Sequence, residues 1–254
     1  MTSKTKPRVA VYKFTGCAGC QMELLRLEDE LLDIVGKLDF VYFMMVQNRE
    51  ELRYDICFVE GSISTPRELE EIKMIRSQTK TLIALGDCAI TGCIPSIRNW
   101  FPQSEAEKMV YKDTLPLRSF KTSGIWEYVP VDLMLPGCPP HKEMILEAIK
   151  SSLMGIRPDL RMHPVCVECK LRENVCILTS LGKPCMGPVT RAGCGAICPT
   201  YGRECEGCYG PMSDANPASL ASEFRKLGIG PDDLVRKFRK YAGTSKEFKE
   251  VAGI

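Results

Sequence analysis

Residues 9–20 read VAVYKFTGCAGC, an apolar run that is followed at once by two cysteines. The run has the length and composition of a buried β-strand. Similar runs, separated by helical patterns, recur at residues 40–46, 56–60, 81–86 and 131–135. Strands that alternate with helices are typical of an α/β domain with a parallel sheet. We therefore predict such a domain for residues 1–156.

Helical patterns fill several of the intervals between these strands. Apolar residues at helical spacing predict one helix at residues 23–35. A second helix is predicted at residues 66–76, where it begins with a proline, and a third at 139–154, where it begins with two. The alternation of strand and helix therefore continues to about residue 156.

Four cysteines directly follow strands of this scheme. Cys17 and Cys20 come after the first strand, Cys88 after the fourth and Cys138 after the fifth. In an open parallel sheet, the carboxyl ends of the strands converge on one crevice, where residues distant in sequence can meet. Four thiolates are the ligand set of a cubane iron-sulfur cluster. We therefore predict one such site at this edge of the sheet.

Eight of the fourteen cysteines lie between residues 166 and 208. They are Cys166, Cys169, Cys176, Cys185, Cys194, Cys198, Cys205 and Cys208. Eight thiolates make two further sets of four, although their spacing alone does not divide them. The chain here lacks clear periodicity, so bound metal is expected to organise it. We predict an irregular cluster-binding domain at residues 157–254, with helices at 220–227 and 232–241 near its end.

Composition and charge exclude several classes of partner. The formal net charge of the 254 residues is +2, which gives no electrostatic reason to expect nucleic acid or an anionic membrane. No apolar run approaches the roughly 20 residues that span a bilayer. The first residues do not form a secretory signal, so we expect a cytoplasmic protein. In that reducing compartment, fourteen cysteines favour metal ligation over disulfides.

Six motifs, in a fixed order, carry a family resemblance. They are Cys17-Ala18-Gly19-Cys20, Val59-Glu60-Gly61-Ser62, Gly86-Asp87-Cys88-Ala89, Gly137-Cys138-Pro139-Pro140, Cys185-Met186-Gly187-Pro188 and Cys205-Glu206-Gly207-Cys208. Through these motifs the chain resembles, over nearly its whole length, the small electron-transferring subunit of nickel-iron hydrogenases. The resemblance is greatest to the delta subunits of cytoplasmic sulfhydrogenases, which couple hydrogen to NADP.

The resemblance implies a flavodoxin-like first domain and three 4Fe-4S clusters. The proximal cluster would be held by Cys17, Cys20, Cys88 and Cys138. The distal cluster would be held by Cys166, Cys169, Cys176 and Cys185, and the medial cluster by Cys194, Cys198, Cys205 and Cys208. Cys166 stands where many periplasmic relatives have a histidine, and Cys198 supplies a medial ligand that they lack. All three clusters are therefore expected to have only cysteine ligands.

The resemblance also implies the function of the chain. A large partner subunit would carry the nickel-iron centre and split hydrogen heterolytically. This chain would relay the electrons singly through the proximal, medial and distal clusters to a flavin-containing, NAD(P)-binding partner. Further iron-sulfur electron-transfer subunits are expected in the same complex. The chain is thus expected to belong to an oxidoreductase without providing a catalytic residue.

Three alternatives remain open at this point. A hydrogenase with another acceptor, associated with heterodisulfide reductase or linked to coenzyme F420, shares the three-cluster pattern. The homologous subunit of respiratory complex I typically has adjacent cysteines and one cluster, unlike Cys17-x-x-Cys20. A zinc-binding interaction module also uses C-x-x-C pairs. Zinc does not explain cysteines at three strand ends, and its usual spacing is not met by Cys176, Cys185 and Cys194.

Several residues near these motifs have open roles. Cys57 lies within a strand and is most simply a small buried hydrophobe, and Cys93 is expected not to be a ligand. His163 could substitute for a distal cysteine, although a surface or hydrogen-bonded histidine is favoured. Glu60 and Asp87 stand at strand ends, where they would either contact a partner or help proton movement, or make local hydrogen bonds.

Overall fold

A mostly parallel sheet organises the first half of the chain. The computed structural model describes residues 6–27, 30, 34, 36–48 and 53–253. Within them the strands are β1 (Arg8–Lys13), β2 (Asp39–Phe43), β3 (Gln47–Asn48), β4 (Tyr54–Glu60), β5 (Thr79–Leu85) and β6 (Leu133–Leu135). Their order in the sheet is β3-β2-β1-β4-β5-β6. The pair β2 and β3 is antiparallel, and the other pairs are parallel.

The strand order confirms the flavodoxin-like prediction. Without the two-residue edge strand β3, the order is that of a doubly wound sheet whose direction of winding reverses between β1 and β4. Ligands of such folds bind outside the carboxyl ends of the strands at this reversal. The sequence pattern did not predict β3, because two residues are too few to show a period.

Helices and loops cover the two faces of the sheet. The helices of this part are α1 (Gly19–Leu25), α2 (Pro66–Gln78), α3 (Asp87–Thr91), α4 (Gln103–Val110) and α5 (Lys142–Met154). The predicted helix at 23–35 begins earlier, at Gly19, and much of its second half lies outside the described residues. The prediction for α2 is confirmed, whereas α5 begins three residues after the first of its two prolines.

Alternate side chains of the strands form two apolar layers. Ala10 and Tyr12 of β1 belong to the layer on one face, and Val9 and Val11 belong to the layer on the other. Phe58 in the central strand β4 is fully buried. A parallel sheet that is covered on both faces explains why these strands are apolar runs without alternation.

The last hundred residues form short helices around a third apolar cluster. These helices are α6 (Val165–Leu171), α7 (Ile197–Thr200), α8 (Pro217–Lys226), α9 (Pro231–Arg239) and α10 (Lys249–Ala252). Phe224, Phe238 and Phe248 are buried in this cluster. The two helices predicted near the carboxyl end are confirmed as α8 and α9, while the boundary at residue 156 stays a prediction. None of the helices in the described residues is long and apolar enough to cross a membrane.

The start of α2 is connected to the crevice by one carboxylate. Glu68 and Thr65 form a capping box, in which Thr65 Oγ1 accepts a hydrogen bond from the Glu68 N–H. Glu68 also accepts hydrogen bonds from the Ser64 N–H at 2.8 Å and from the Thr15 hydroxyl at 2.7 Å. Because Thr15 lies in the loop after β1, Glu68 holds the loops after β1 and β4 together.

We predict that Glu68→Ala destabilises the fold by about 1–3 kcal/mol, because several partly buried donors lose their acceptor. For a chain of this size, each kcal/mol corresponds to roughly 2–4 °C in the midpoint of thermal unfolding, measured by circular dichroism. The control is Glu70→Ala, which removes an exposed ion pair with Lys73 and should change stability by less than about 0.5 kcal/mol. Equal midpoints for the two variants would contradict the role given to Glu68.

Candidate metal centres

The predicted proximal set lies at the carboxyl edge of the sheet. Cys17 lies in the loop after β1, Cys20 in α1, Cys88 in α3 and Cys138 after β6. All four line one cavity of about 160 Å³. Cys17 is exposed and the other three are half-buried. The structure therefore brings together the four side chains that the strand pattern placed at this edge.

Backbone hydrogen bonds hold the loops after β5 and β6 against each other. The Gly86 N–H donates to the Leu135 carbonyl and the Asp87 N–H to the Gly137 carbonyl, each at 2.8 Å. Gly86 has a φ of +84°, and a Cβ at this position would lie 2.3 Å from Cys20 Sγ. Glycine is required here, because a side chain would occupy the space of the thiol and strain the backbone.

Two buried acids border the proximal cavity. Glu60, at the end of β4, accepts a hydrogen bond from the Gln21 N–H at 3.0 Å. Asp87 accepts one from the Thr91 hydroxyl at 2.9 Å. Burial raises the pKa of Glu60, and it raises the pKa of Asp87 to about 7. One oxygen of each acid has no hydrogen-bond partner among the described residues. Each acid therefore keeps an acceptor for a further donor.

A fifth thiol lies beside the proximal set. Cys93 is fully buried, and its side chain is within hydrogen-bond reach of the sulfurs of Cys138 and Cys88. The contact with Cys93 lowers the pKa of Cys138. A thiol that donates to a ligand sulfur is a means of tuning a cluster, since hydrogen bonds to sulfur affect its potential. That Cys93 is not itself a ligand stays a prediction.

The predicted distal set lies on α6 and the chain that follows it. Cys166 and Cys169 are three residues apart on α6, so their side chains share one face of the helix. Together with Cys176 and Cys185 they line a cavity of about 40 Å³. Burial, reinforced by the neighbouring thiols, raises the pKa of Cys166 to about 11. The structure thus brings all four predicted distal residues together.

The predicted medial set is formed by two segments that lie close together. Cys194 and Cys198 are neighbours near the start of α7, and both interact electrostatically with Cys208. Cys205 is a further neighbour of Cys208 and is buried. Burial raises the pKa of Cys208 to about 12 and that of Cys205 well above its usual value.

Two members of the medial set also reach the other sets. Cys208 interacts electrostatically with Cys138 of the proximal set. The Cys205 N–H donates a hydrogen bond to Cys185 Sγ of the distal set at 3.3 Å. The loop at residues 205–208 therefore lies between the proximal and distal sets, and the three sets form a continuous row.

The donor chemistry of these sets fits iron-sulfur clusters. Buried thiols with raised pKa values ionise only when a cation compensates the thiolate charge, and iron provides that charge. Within the described part of the chain, no group of three or more His, Cys, Asp or Glu side chains could hold a single metal ion. A cubane contains four irons, so its ligands stand further apart than those of one ion.

Other residues that the sequence singled out lie apart from these cavities. Cys57 is fully buried within an apolar layer of the sheet, as predicted. His163 lies with its Nδ1 3.2 Å from the Pro164 carbonyl and does not line the distal cavity. The chain's other histidine, His141, is the residue before α5, and its backbone N–H donates to the Tyr209 hydroxyl at 2.8 Å.

The family is shown by a sequence comparison. The family model described as "NADH ubiquinone oxidoreductase, 20 Kd subunit" matches residues 17–152, which contain the whole proximal set. The chain belongs to this family. The match ends before the first cysteine of the distal set, so the longer relatives are needed to place the rest of the chain.

Full-length relatives of this family member are hydrogenase subunits. The chain is 35% identical to "Sulfhydrogenase 2 subunit delta" of Pyrococcus furiosus, over 92% of its own length and 99% of that protein. It is 34% identical to one subunit of the "F420-non-reducing hydrogenase" of Methanocaldococcus jannaschii, covering 92% and 94% of the two chains. The predicted resemblance to hydrogenase small subunits is therefore confirmed. These matches favour the hydrogenase branch over the complex I alternative.

Solved structures agree with this family assignment. A chain of the "NAD+-reducing [NiFe]-hydrogenase in the H2-reduced state" is 27% identical, with a TM-score of 0.57, and the match covers 61% of this chain and 96% of that one. The "Actinobacterial-type NiFe-hydrogenase from Ralstonia eutropha" also gives a TM-score of 0.57, covering 94% and 90%. At 16% identity, that second match supports the fold alone.

One residue of this hydrogenase-family chain that sequence reasoning missed is Glu168. It lies between the two cysteines of Cys166-x-x-Cys169 and is 4% exposed. Its carboxylate accepts hydrogen bonds from the Gly193 N–H at 3.1 Å and the Ala196 N–H at 3.2 Å, and it forms an ion pair with Arg161. Glu168 thus ties the distal helix to the medial loop around Cys194. The available signal in the sequence was an acidic residue between two predicted ligands.

The basic segment at residues 236–240 is only partly exposed to solvent. Lys237 and Lys240 both form ion pairs with Glu206 at 2.9 Å, and the Lys237 side chain is only 13% exposed. Burial alone would raise the pKa of Glu206, but the hydrogen bonds from the two lysines lower it overall. Arg239 stacks 3.8 Å from the centre of the Trp100 ring. The end of α9, together with the residue that follows it, therefore anchors the loop at residues 205–208.

We predict that Gly86→Ala lowers the iron content of the proximal site, because the new methyl group would displace Cys20 Sγ. Gly155→Ala is the matched control, since Gly155 also has a positive φ but its Cβ would meet no atom within 4 Å. Both substitutions strain the backbone, and only the first obstructs a ligand. Iron analysis and electron paramagnetic resonance measure the result. Full iron content in both variants would contradict the assignment of Cys20.

We predict that Glu168→Ala weakens the medial and distal sites, because two buried backbone donors lose their acceptor at a cost of about 1–3 kcal/mol each. The control is Glu173→Ala, which removes an exposed carboxylate shortly after α6. Electron paramagnetic resonance of the reduced complex should show altered medial and distal signals and an unchanged proximal signal for Glu168→Ala alone. Identical spectra for the two variants would rule out this bridging role.

Proposed function

We propose that this chain is the electron-transferring small subunit of a nickel-iron hydrogenase that uses NADP. The observation that carries the proposal is the row of three cysteine sets, joined by Cys205 and Cys208 to the distal and proximal sets. When bound, three 4Fe-4S clusters would carry single electrons along this row. The nickel-iron centre is proposed to lie in a large partner subunit, next to the proximal set.

In the proposed overall reaction, one partner subunit takes electrons and protons from hydrogen and another delivers electrons and a proton to NADP⁺. Hydrogen supplies two electrons and two protons, and NADP⁺ takes up two electrons and one proton, which leaves one proton for solvent. The small subunit handles only the electrons. The flavin expected in the NADP-binding partner is the group that converts single electrons into a hydride.

This chain's own residues hold and insulate the proposed ligands. Cys185 and Cys205 are less than a tenth exposed, so water has little access to these two sulfurs. The Gly19 N–H donates to Cys17 Sγ at 3.4 Å, and the Cys205 N–H donates to Cys185 Sγ. Such N–H donors stabilise thiolate charge and help to set cluster potentials.

The proximal surface is proposed to face the large subunit. Cys17 is exposed at the crevice, and Met22 in the neighbouring α1 is 44% exposed. Exposed apolar side chains next to a functional group indicate a protein interface. The unpartnered oxygen of Glu60 lies at the same cavity and could accept a proton or a hydrogen bond from that partner.

Replacement of Cys138 tests the proposal in the complete complex. Cys138→Ala should reduce hydrogen-dependent viologen reduction by at least about tenfold, the equivalent of 1.4 kcal/mol in the barrier, because the electron route is cut at its inner end. Cys57→Ala is the control, since Cys57 is buried away from all three sets. Hydrogen-dependent reduction at the wild-type rate in Cys138→Ala would contradict the proposed route.

Metal analysis of the anaerobically purified complex decides between iron and zinc. Three cubanes require about twelve irons and the matching sulfide for each copy of this chain, after subtraction of the partners' share. Nickel should copurify in a different subunit. Zinc without sulfide would overturn the proposal, and about four irons would leave only one of the three sets as a cluster site.

A further inference from the structure

A cavity of about 520 Å³ lies between the first domain and the carboxyl-terminal part of the chain. None of the twelve proposed cysteine ligands lines it. The two parts of the chain are joined beside the cavity, where the Thr244 hydroxyl donates a hydrogen bond to the Thr91 carbonyl at 2.5 Å. Its volume is within the range of about 300–1,000 Å³ that is typical of small-molecule sites. The proposed relay of electrons gives this cavity no role.

The first domain contributes most of the apolar lining of the cavity. These side chains include Ile90, Trp126, Met134 and Pro136. Trp126 is 52% exposed, and its Nε1 donates a hydrogen bond to the Ile90 carbonyl at 2.6 Å. This hydrogen bond fixes the indole ring at the cavity. A fixed and exposed aromatic ring is suited to packing against a ring of a ligand.

The cavity also has ionisable groups of both signs in its lining. The cations are Arg191, Lys246 and Lys249, which all come from the carboxyl-terminal part of the chain. The acids are Asp87, Glu127 and Glu247. Because the formal charges cancel, total charge does not decide which ligand the cavity prefers. That preference depends on which of these groups lack a partner in the folded chain.

Arg191 is a cation whose hydrogen bonds are incomplete. Its Nε is buried and has no hydrogen-bond partner among the described residues. Arg191 makes no salt bridge in the part of the chain that the structure describes, although Asp87 and Glu247 are electrostatic neighbours. A buried guanidinium without a partner is costly. Its planar set of donors matches a carboxylate or a phosphate.

Asp87 brings a second unpartnered atom to the same cavity. Its side chain is buried, and Oδ1 has no hydrogen-bond partner among the described residues. The other oxygen accepts a hydrogen bond from the Thr91 hydroxyl at 2.9 Å. A Cβ on Gly210 would lie 2.9 Å from Oδ1, so a side chain at that position would crowd this oxygen. The cavity therefore has one buried donor and one buried acceptor that the protein itself leaves unpaired.

We propose that this cavity binds a small aromatic anion, whose carboxylate or phosphate group pairs with Arg191 and whose ring packs against Trp126. The anion supplies the acceptors that Arg191 lacks, and the apolar lining removes the ring from water. Lys246 and Lys249 are exposed and add attraction that salt would screen. The site goes beyond the proposed function, because it requires no electron transfer.

Calorimetric titration of the intact, anaerobically purified complex tests the site. The probes are benzoate and phenyl phosphate, with benzamide as a ring without charge and inorganic phosphate as a charge without a ring. At least one aromatic anion should bind once per copy of this chain with a Kd of about 1 mM or tighter, within reach of a ligand of about ten heavy atoms. Benzamide and inorganic phosphate should bind at least about tenfold more weakly. No binding of either aromatic anion at about 10 mM would overturn the proposal.

Three variants show whether the binding occurs in this cavity. Arg191→Gln should weaken binding of the aromatic anion by about tenfold or more, because a charge-assisted pair is lost. Trp126→Leu should weaken it by about twofold to tenfold, because the ring loses its aromatic partner. Arg225→Gln is the matched control, since Arg225 is an exposed arginine of α8 that does not line the cavity. Equal affinities in the Arg191 and Arg225 variants would overturn the proposal.

A separate measurement checks the fold of the variants. The midpoint of thermal unfolding shows whether Arg191→Gln stays folded. If it does not, Trp126→Leu alone decides the question, and wild-type affinity in that variant would overturn the proposal. The calorimetric result is independent of hydrogenase activity. A complex that reduces no viologen under hydrogen but binds the aromatic anion through Arg191 would therefore contradict the proposed function and support the anion site.

Discussion

The site depends first on the parallel hydrogen bonding of β1, β4, β5 and β6. This pairing brings the carboxyl ends of the strands to one edge, where Cys17, Cys88 and Cys138 become neighbours although they are far apart in sequence. The two backbone hydrogen bonds between the loops after β5 and β6 then fix the distance between two of these thiols. A shift of one residue in this register would separate them.

The electrostatic cost of the site is balanced by the metal that it is suited to hold. Burial raises the pKa of Cys20, Cys166, Cys205 and Cys208, so the folded chain without iron would keep these thiols neutral. Iron reverses this preference by compensating the thiolate charge. With iron bound, the irregular chain at residues 166–208, with its short helices, would gain much of its order from metal ligation. The first domain depends less on metal, because two apolar layers enclose its sheet.

The fold of the first domain was largely predictable from the sequence, because each buried strand is a distinct apolar run and each proposed ligand follows a strand. The edge strand β3 and the true start of α5 could not be predicted. A strand of two residues and the first residue of a helix are both decided by contacts with other segments of the chain. The division of the eight later cysteines also required the family resemblance. The contacts that Glu168 and Cys93 make were not predicted, for a different reason. Their partners are distant in sequence, so only the folded chain brings them together.

The loop that carries Cys205 and Cys208 would limit the length of the proposed electron path. Cys205 and Cys208 are three residues apart, a separation that spans at most about 11 Å even when the chain is fully extended. One end of this short segment donates a hydrogen bond to Cys185 and the other lies near Cys138, so the segment bridges the two outer sets. Tunnelling rates fall steeply with distance, and here the covalent chain itself keeps that distance short. The rate of the proposed electron transfer is therefore expected to depend little on fluctuations of the surrounding protein.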